Sequence, residues 1–139
     1  MRIQTALVAI LLSASSIAYA ETELSVDWEW KLSHGCRPIS PALTIAGIPS
    51  DTKSLSFTMV DLDFTSFNHG GGNLAHDGGA TIVVPEGALK DYRGPCPGTV
   101  FNSFGHDYAF TVRALAADGK TELARGRKTK TFSASSVKQ

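Results

Sequence analysis

His106-Asp107-Tyr108-Ala109-Phe110-Thr111-Val112 alternates apolar and polar side chains and continues the pattern through Arg113 and Ala114. Tyr108, Phe110, Val112 and Ala114 take one side; Asp107, Thr111 and Arg113 take the other. Such alternation is the mark of a half-buried β-strand, predicted here over His106 to Ala116. Just upstream stands Gly94-Pro95-Cys96-Pro97. Glycine permits close backbone approach, and proline fixes the turn while removing an N–H donor. A turn of this kind holds a pocket wall still with little regular structure behind it.

Leu24 to Trp30 shows the same alternation, with Trp28 and Trp30 on the core side. Short strands are predicted at Ala42 to Ala46 and at Thr81 to Val84. Between them, Lys53 to Val60 puts Leu55, Phe57 and Met59 on one face. Pro85 to Lys90 allows one turn of helix. Asp118-Gly119 is a hairpin signal, and a strand from Arg127 to Phe132 follows it. Lys128 and Lys130 read as solvated charges that blunt a sheet edge. Residues 64–80 carry two glycine clusters and two histidines, and read as an irregular loop. No segment has a sustained helical period. Many short strands with Gly/Pro turns predict an all-β sandwich or barrel.

The first twenty residues read as a secretory signal peptide: a positive start at Arg2, an apolar run and an Ala-x-Ala end at Ala20. The apolar run is shorter than the roughly 20 residues of a spanning helix. That leaves one domain, residues 21–139, of about 119 residues. Thirteen basic residues balance thirteen acidic ones. This balance argues against a nucleic-acid or membrane-surface binder. An exported chain places the protein in the periplasm or outside the cell, where Cys36 and Cys96, its only cysteines, are expected to pair.

The polar candidates cluster at strand ends, where loops carry function. Asp61 and Asp63 close one strand; His106 and Tyr108 open another. His69 and His76 lie in the glycine-rich stretch. Asp61 and Asp63 also suit plain turn duty. His34 and His76 read as exposed loop residues, and Tyr108 as a core residue with its hydroxyl at the rim. A zinc site drawn from His69, His76, His106 and an Asp lacks the usual ligand spacing. No Gly-x-Ser-x-Gly elbow is present, so no nucleophile triad is predicted.

Four blocks resemble, in order, segments of the phosphatidylethanolamine-binding protein family, and more specifically its bacterial Raf-kinase-inhibitor-like branch. They are Cys36 to Leu43, Thr52 to Leu55 with Val60 to Asp63, Gly94 to Pro97, and His106 to Val112. The resemblance implies a β-sandwich, here a minimal version with little helix, and a small rim pocket for a phosphate-like group. By position, Asp61, Gly94, Pro95, His106 and Tyr108 match the family's pocket residues. His69 is the best match to its second histidine, with His76 competing; Asp63 is a further candidate. Leu62 stands where the family has proline, and the region from Asp63 to Gly94 is short. The expectation is an exported, non-enzymatic protein, without metal or cofactor, that binds a small anion or phospholipid headgroup. Two alternatives are a protein-interaction or inhibitor module with a vestigial pocket, and a metal-assisted hydrolase using the His/Asp cluster.

Overall fold

The computed structural model describes residues 22–98, 104–133 and 135–137. The expected signal peptide, 1–20, lies outside the described residues. The described chain is all-β, apart from one 3-10 turn at Leu32–His34. Its strands are β1 (Thr22–Glu23), β2 (Ser25–Trp28), β3 (Leu43–Ala46), β4 (Ser54–Asp61), β5 (Asn68–Ala75), β6 (Thr81–Val84), β7 (Asp91–Tyr92), β8 (His106–Leu115) and β9 (Glu122–Phe132). One sheet has the order β1-β9-β8-β4-β5-β7; the other has β2-β3-β6. Pro85 to Lys90 makes no helix; Ala88 N–H closes a turn on Pro85 O. None of the helical structure described is long and apolar enough to cross a membrane.

The alternation in β8 and β4 lands on the inner face. Leu55, Phe57 and Met59 oppose Ala114, Val112 and Phe110, and all six are buried. From the other sheet, Trp28 meets Phe110 edge-on with ring centroids 5.0 Å apart. Trp30 packs edge-on against Tyr108 and Phe132. Aromatic rings meeting this way hold two sheets in one register while burying large apolar surfaces.

Lys128 and Lys130 do not simply stand in solvent. Both ammonium groups reach Asp27 Oδ1, at 2.7 and 2.9 Å, and Lys130 also donates to Trp28 O. They strap β9 of one sheet to β2 of the other. The two lysines hold the Asp27 carboxyl down to about 2.

The largest departure from the sequence reading is β5. The stretch expected to be a loop contains an eight-residue strand that pairs with β4 on one side and β7 on the other. Its glycines serve close approach. A Cβ on Gly70 would lie 1.8 Å from Asp91 O, and one on Gly71 1.9 Å from Phe57 O. The register slips between Thr58 and Val60, so His69 and Gly70 together oppose Met59. Gly70 takes φ +65° there. This bulge has a large consequence, because a one-residue shift moves a side chain to the other face of a sheet. Regular pairing would set His69 opposite Val60, on the outer face; the bulge turns it inward, where it is buried.

His34 and His76, expected to be exposed, are buried too. His34 sits under Trp30, with ring centroids 6.1 Å apart, and accepts the Lys31 N–H on Nδ1. Burial lowers its pKa, with Glu86 opposing. The Cys36–Cys96 disulfide is formed, with Cα atoms 4.5 Å apart.

Two glycines separate close approach from mere flexibility. Gly71→Ala is expected to destabilise the protein by about 2 kcal/mol or more, since backbone must move. Gly98→Ala meets nothing within 4 Å and should stay within about 0.5 kcal/mol. Urea denaturation of both variants checks this; equal midpoints would refute the close-approach account of β5.

Candidate functional site

The antiparallel pairing of β4 with β8 sets Asp61 directly opposite Tyr108. His106 lies two residues before Tyr108, on the same face of β8. The result is a compact polar group at one end of the large sheet. The Asp61 carboxylate is its centre. Oδ2 accepts from His106 Nδ1 at 2.8 Å; Oδ1 accepts the backbone N–H of Asp63 at 2.9 Å and of Phe64 at 3.0 Å. Burial pushes the Asp61 pKa up, but the His106 hydrogen bond and the two N–H donors outweigh it, and the net shift is down. Asp61 therefore stays ionised and keeps the His106 proton on Nδ1.

Asp63 stands beside it and accepts the Asp107 N–H at 2.7 Å. Leu62 N–H donates to Asp107 O at 2.8 Å. Both bonds pin the loop after β4 to the start of β8.

The bulge in β5 brings His69 to the same end. Its Nδ1 donates to Arg93 O at 2.9 Å, and its own carbonyl accepts the Arg93 N–H at 2.9 Å. Its ring meets Tyr108 edge-on at 5.3 Å. The His106 ring also stacks on Tyr108, at 6.3 Å. Two histidines thus contact one tyrosine, each with Nδ1 already committed to an acceptor. Each Nε2 is an acceptor on a neutral ring and a donor on a protonated one.

Tyr108 is fully buried, and its hydroxyl makes no hydrogen bond among the described residues. Burial pushes the phenol pKa up, and the charge of Asp61 adds to that. Asp61 and the Cys96 amide both bear on the hydroxyl electrostatically, yet neither completes a hydrogen bond with it. A buried hydroxyl without a partner is costly. It stays protonated, as a donor with no acceptor among the described residues. Of His69, His106 and Tyr108, His106 is the accessible one, with 27% of its side chain exposed.

Gly94 and Pro95 form the neighbouring wall. Gly94 N–H donates to Arg37 O at 2.9 Å, and Pro95 O accepts the Cys36 N–H at 2.8 Å. A Cβ on Gly94 would lie 2.3 Å from Arg37 O, so only glycine permits this approach. The disulfide closes the same loop pair.

His76 takes no part. Its N–H binds Lys53 O, at the opposite end of β4 from Asp61. A site made of His69, His76, His106 and an Asp is therefore not assembled. The group of would-be ligands that does form is Asp61, Asp63 and His106, with one atom from each within 4.8 Å of the others.

The sequence reading passed over Arg37, Phe67 and Arg93. They line a cleft of about 280 Å³ that also touches Pro38, Gly94 and the exposed disulfide. Phe67 packs on His69 with centroids 4.7 Å apart, so the cleft adjoins the histidine. The signal was present: an arginine directly follows Cys36 and another directly precedes Gly94. A larger groove of about 380 Å³ runs along Leu24, Val26 and Arg127, where none of the candidate residues sits.

No protein-family model matches the chain, and no curated protein matches it. Function is read from the side chains themselves.

The depressed pKa of Asp61 gives a signed pH effect. Its stabilising bonds are fully present above the ordinary carboxylate range of about 4 and are lost as pH falls through the lower folded value. Asp61→Asn should therefore unfold more readily than wild type at neutral pH, with the gap shrinking in acid. Denaturant midpoints of both proteins along a pH series check this; a gap that widens in acid would refute it.

Proposed function

We propose that this chain is an exported, non-enzymatic binding protein whose rim pocket holds a small anion of the phosphate type, either free or as a phospholipid headgroup. The observation that carries the reading is the buried hydroxyl of Tyr108, without a hydrogen-bond partner among the described residues, on a ring in contact with two histidines whose Nδ1 atoms are already tied down. A phosphate oxygen at that place would accept from Tyr108. Protonated His106 and His69 would donate from Nε2, and the developed charge would be shared across three donors. Asp61 orients His106 through Nδ1 rather than touching the ligand. The resemblance of four sequence blocks to the phosphatidylethanolamine-binding protein family supports the same reading. A periplasmic or secreted location agrees with the disulfide.

The carboxylates argue for orientation over metal binding. Both oxygens of Asp61 and one of Asp63 already accept hydrogen bonds. A metal would have to share those oxygens with their present donors or use the second oxygen of Asp63. Stoichiometric metal in the purified protein would move the reading to a metal-assisted hydrolase on Asp61, Asp63 and His106. A protein-interaction module with a vestigial pocket has its own support, since Leu62, Phe64 and Phe67 are large, apolar and exposed in the loop after β4 and at its edge.

Titration with inorganic phosphate, followed on the histidine resonances by NMR, is the direct test. Saturable shifts at His106 and His69 are expected, and Asp61→Asn should weaken them. His106→Ala should abolish binding. No shift at millimolar phosphate, or unchanged affinity in His106→Ala, would sink the reading.

A further inference from the structure

We infer that the cleft beside His69 is the second half of one ligand site, shaped for an organic phosphate that carries a flat apolar body and a further acidic group, with Arg37 and Arg93 taking that second charge. The inference rests on the phosphate reading of the histidine end.

Charge comes first. Lys31, Arg113, Arg125, Lys128 and Lys130 all have carboxylate partners. Arg37 and Arg93 have none among the described residues, and neither do Lys53, Lys90, Lys120 and Arg127; what sets the two arginines apart is that both face the same cleft. Two like charges left together without a counterion repel each other. A guanidinium presents a planar fork of N–H donors that fits a carboxylate or phosphate in a bidentate manner. An anionic group between the two forks answers both facts.

The floor supplies the second feature. The Arg93 guanidinium lies over the Phe67 ring, 5.8 Å from its centroid. Stacking of this kind holds the fork in place and leaves its in-plane donors free. Pro38 and the disulfide complete an apolar surface. A cleft of about 280 Å³ suits one aromatic ring with its substituents, at the low end of small-molecule sites.

The two ends share one wall. Arg93 O accepts from His69 Nδ1, while the Arg93 side chain lines the cleft. The opposite root, Arg37, is anchored by its own carbonyl on Gly94 N–H and by the disulfide one residue away. Cys36 takes φ +54°, an uncommon conformation for a residue other than glycine. Covalent and hydrogen-bonded clamps fix where both arginines emerge, which reduces the ordering cost of binding.

Calorimetry with three probes tests this: inorganic phosphate, phenyl phosphate and 4-carboxyphenyl phosphate. Affinity should rise in that order, the added carboxylate contributing about tenfold. Arg37→Gln and Arg93→Gln should each remove most of that last gain while leaving inorganic phosphate within about twofold, since neither side chain is assigned to the phosphate end. Unchanged thermal midpoints would show that both variants still fold. Equal affinities for the three probes, with phosphate binding intact, would overturn the cleft assignment alone. So would an equal loss for phosphate and for the carboxyaryl ester in Arg37→Gln, which would mean a diffuse charge effect. Binding of the carboxyaryl ester that survives His106→Ala would overturn the single-site form. Failure of all three probes would remove the phosphate reading and this inference with it.

Discussion

Asp61 places a carboxylate where its side chain is almost wholly buried. Burial alone would return a proton to it. Three donors keep it ionised instead: two backbone N–H groups from the loop it precedes and one imidazole from the adjacent strand. Those bonds define the geometry of this end of the sheet. They tie the backbone of Asp63 and Phe64 to Asp61, and they hold the His106 ring by Nδ1. Asp63 repeats the device one step further out, on the Asp107 amide. A buried charge with one partner removed leaves the other group uncompensated, so the group behaves as a unit.

The second constraint is close backbone approach. β5 lies between β4 and β7 at distances that only glycine tolerates at two successive positions. The same economy applies at Gly94, where the chain passes the Arg37 carbonyl. These contacts do more than pack the sheet. The slip in β5 rotates His69 from the outer face to the inner one. The Gly94 contact, with the disulfide, fixes one wall of the arginine-lined cleft beside Phe67. A small domain with a modest core gains rigidity this way where it has few residues to bury.

The aromatic layer connects the two levels. Tyr108 belongs both to the core, through Trp30, and to the site, through His69 and His106. Its hydroxyl is buried with the ring and has no hydrogen-bond partner among the described residues. The site is thus an extension of the core rather than a loop feature laid over it. The lysine strap on Asp27 holds the far edge of the same layer.

Much of the fold was legible in the residues. Alternation along β4 and β8 named the buried side chains correctly, because a strand with one wet face shows its period directly. The two cysteines, having no other partner, could pair only with each other. The residues at the strand ends, Asp61, His106 and Tyr108, were likewise visible as a pattern of chemistry at one rim. What the pattern could not convey was register. Glycines in sequence read as a loop, because propensity records conformational freedom and not the neighbour that forbids a Cβ. His34 and His76 read as exposed because their loops look polar, yet His34 packs against Trp30 and His76 is tied by its N–H to Lys53 O, and both are buried. Whether His69 or His76 joins His106 depended on a single-residue bulge, and the pairing of Arg37 with Arg93 on a disulfide joining segments 60 residues apart. Local sequence determines the period and chemistry of each strand. Only tertiary structure decides which faces meet, because registers and close approaches are properties of two chain segments and are written in neither alone.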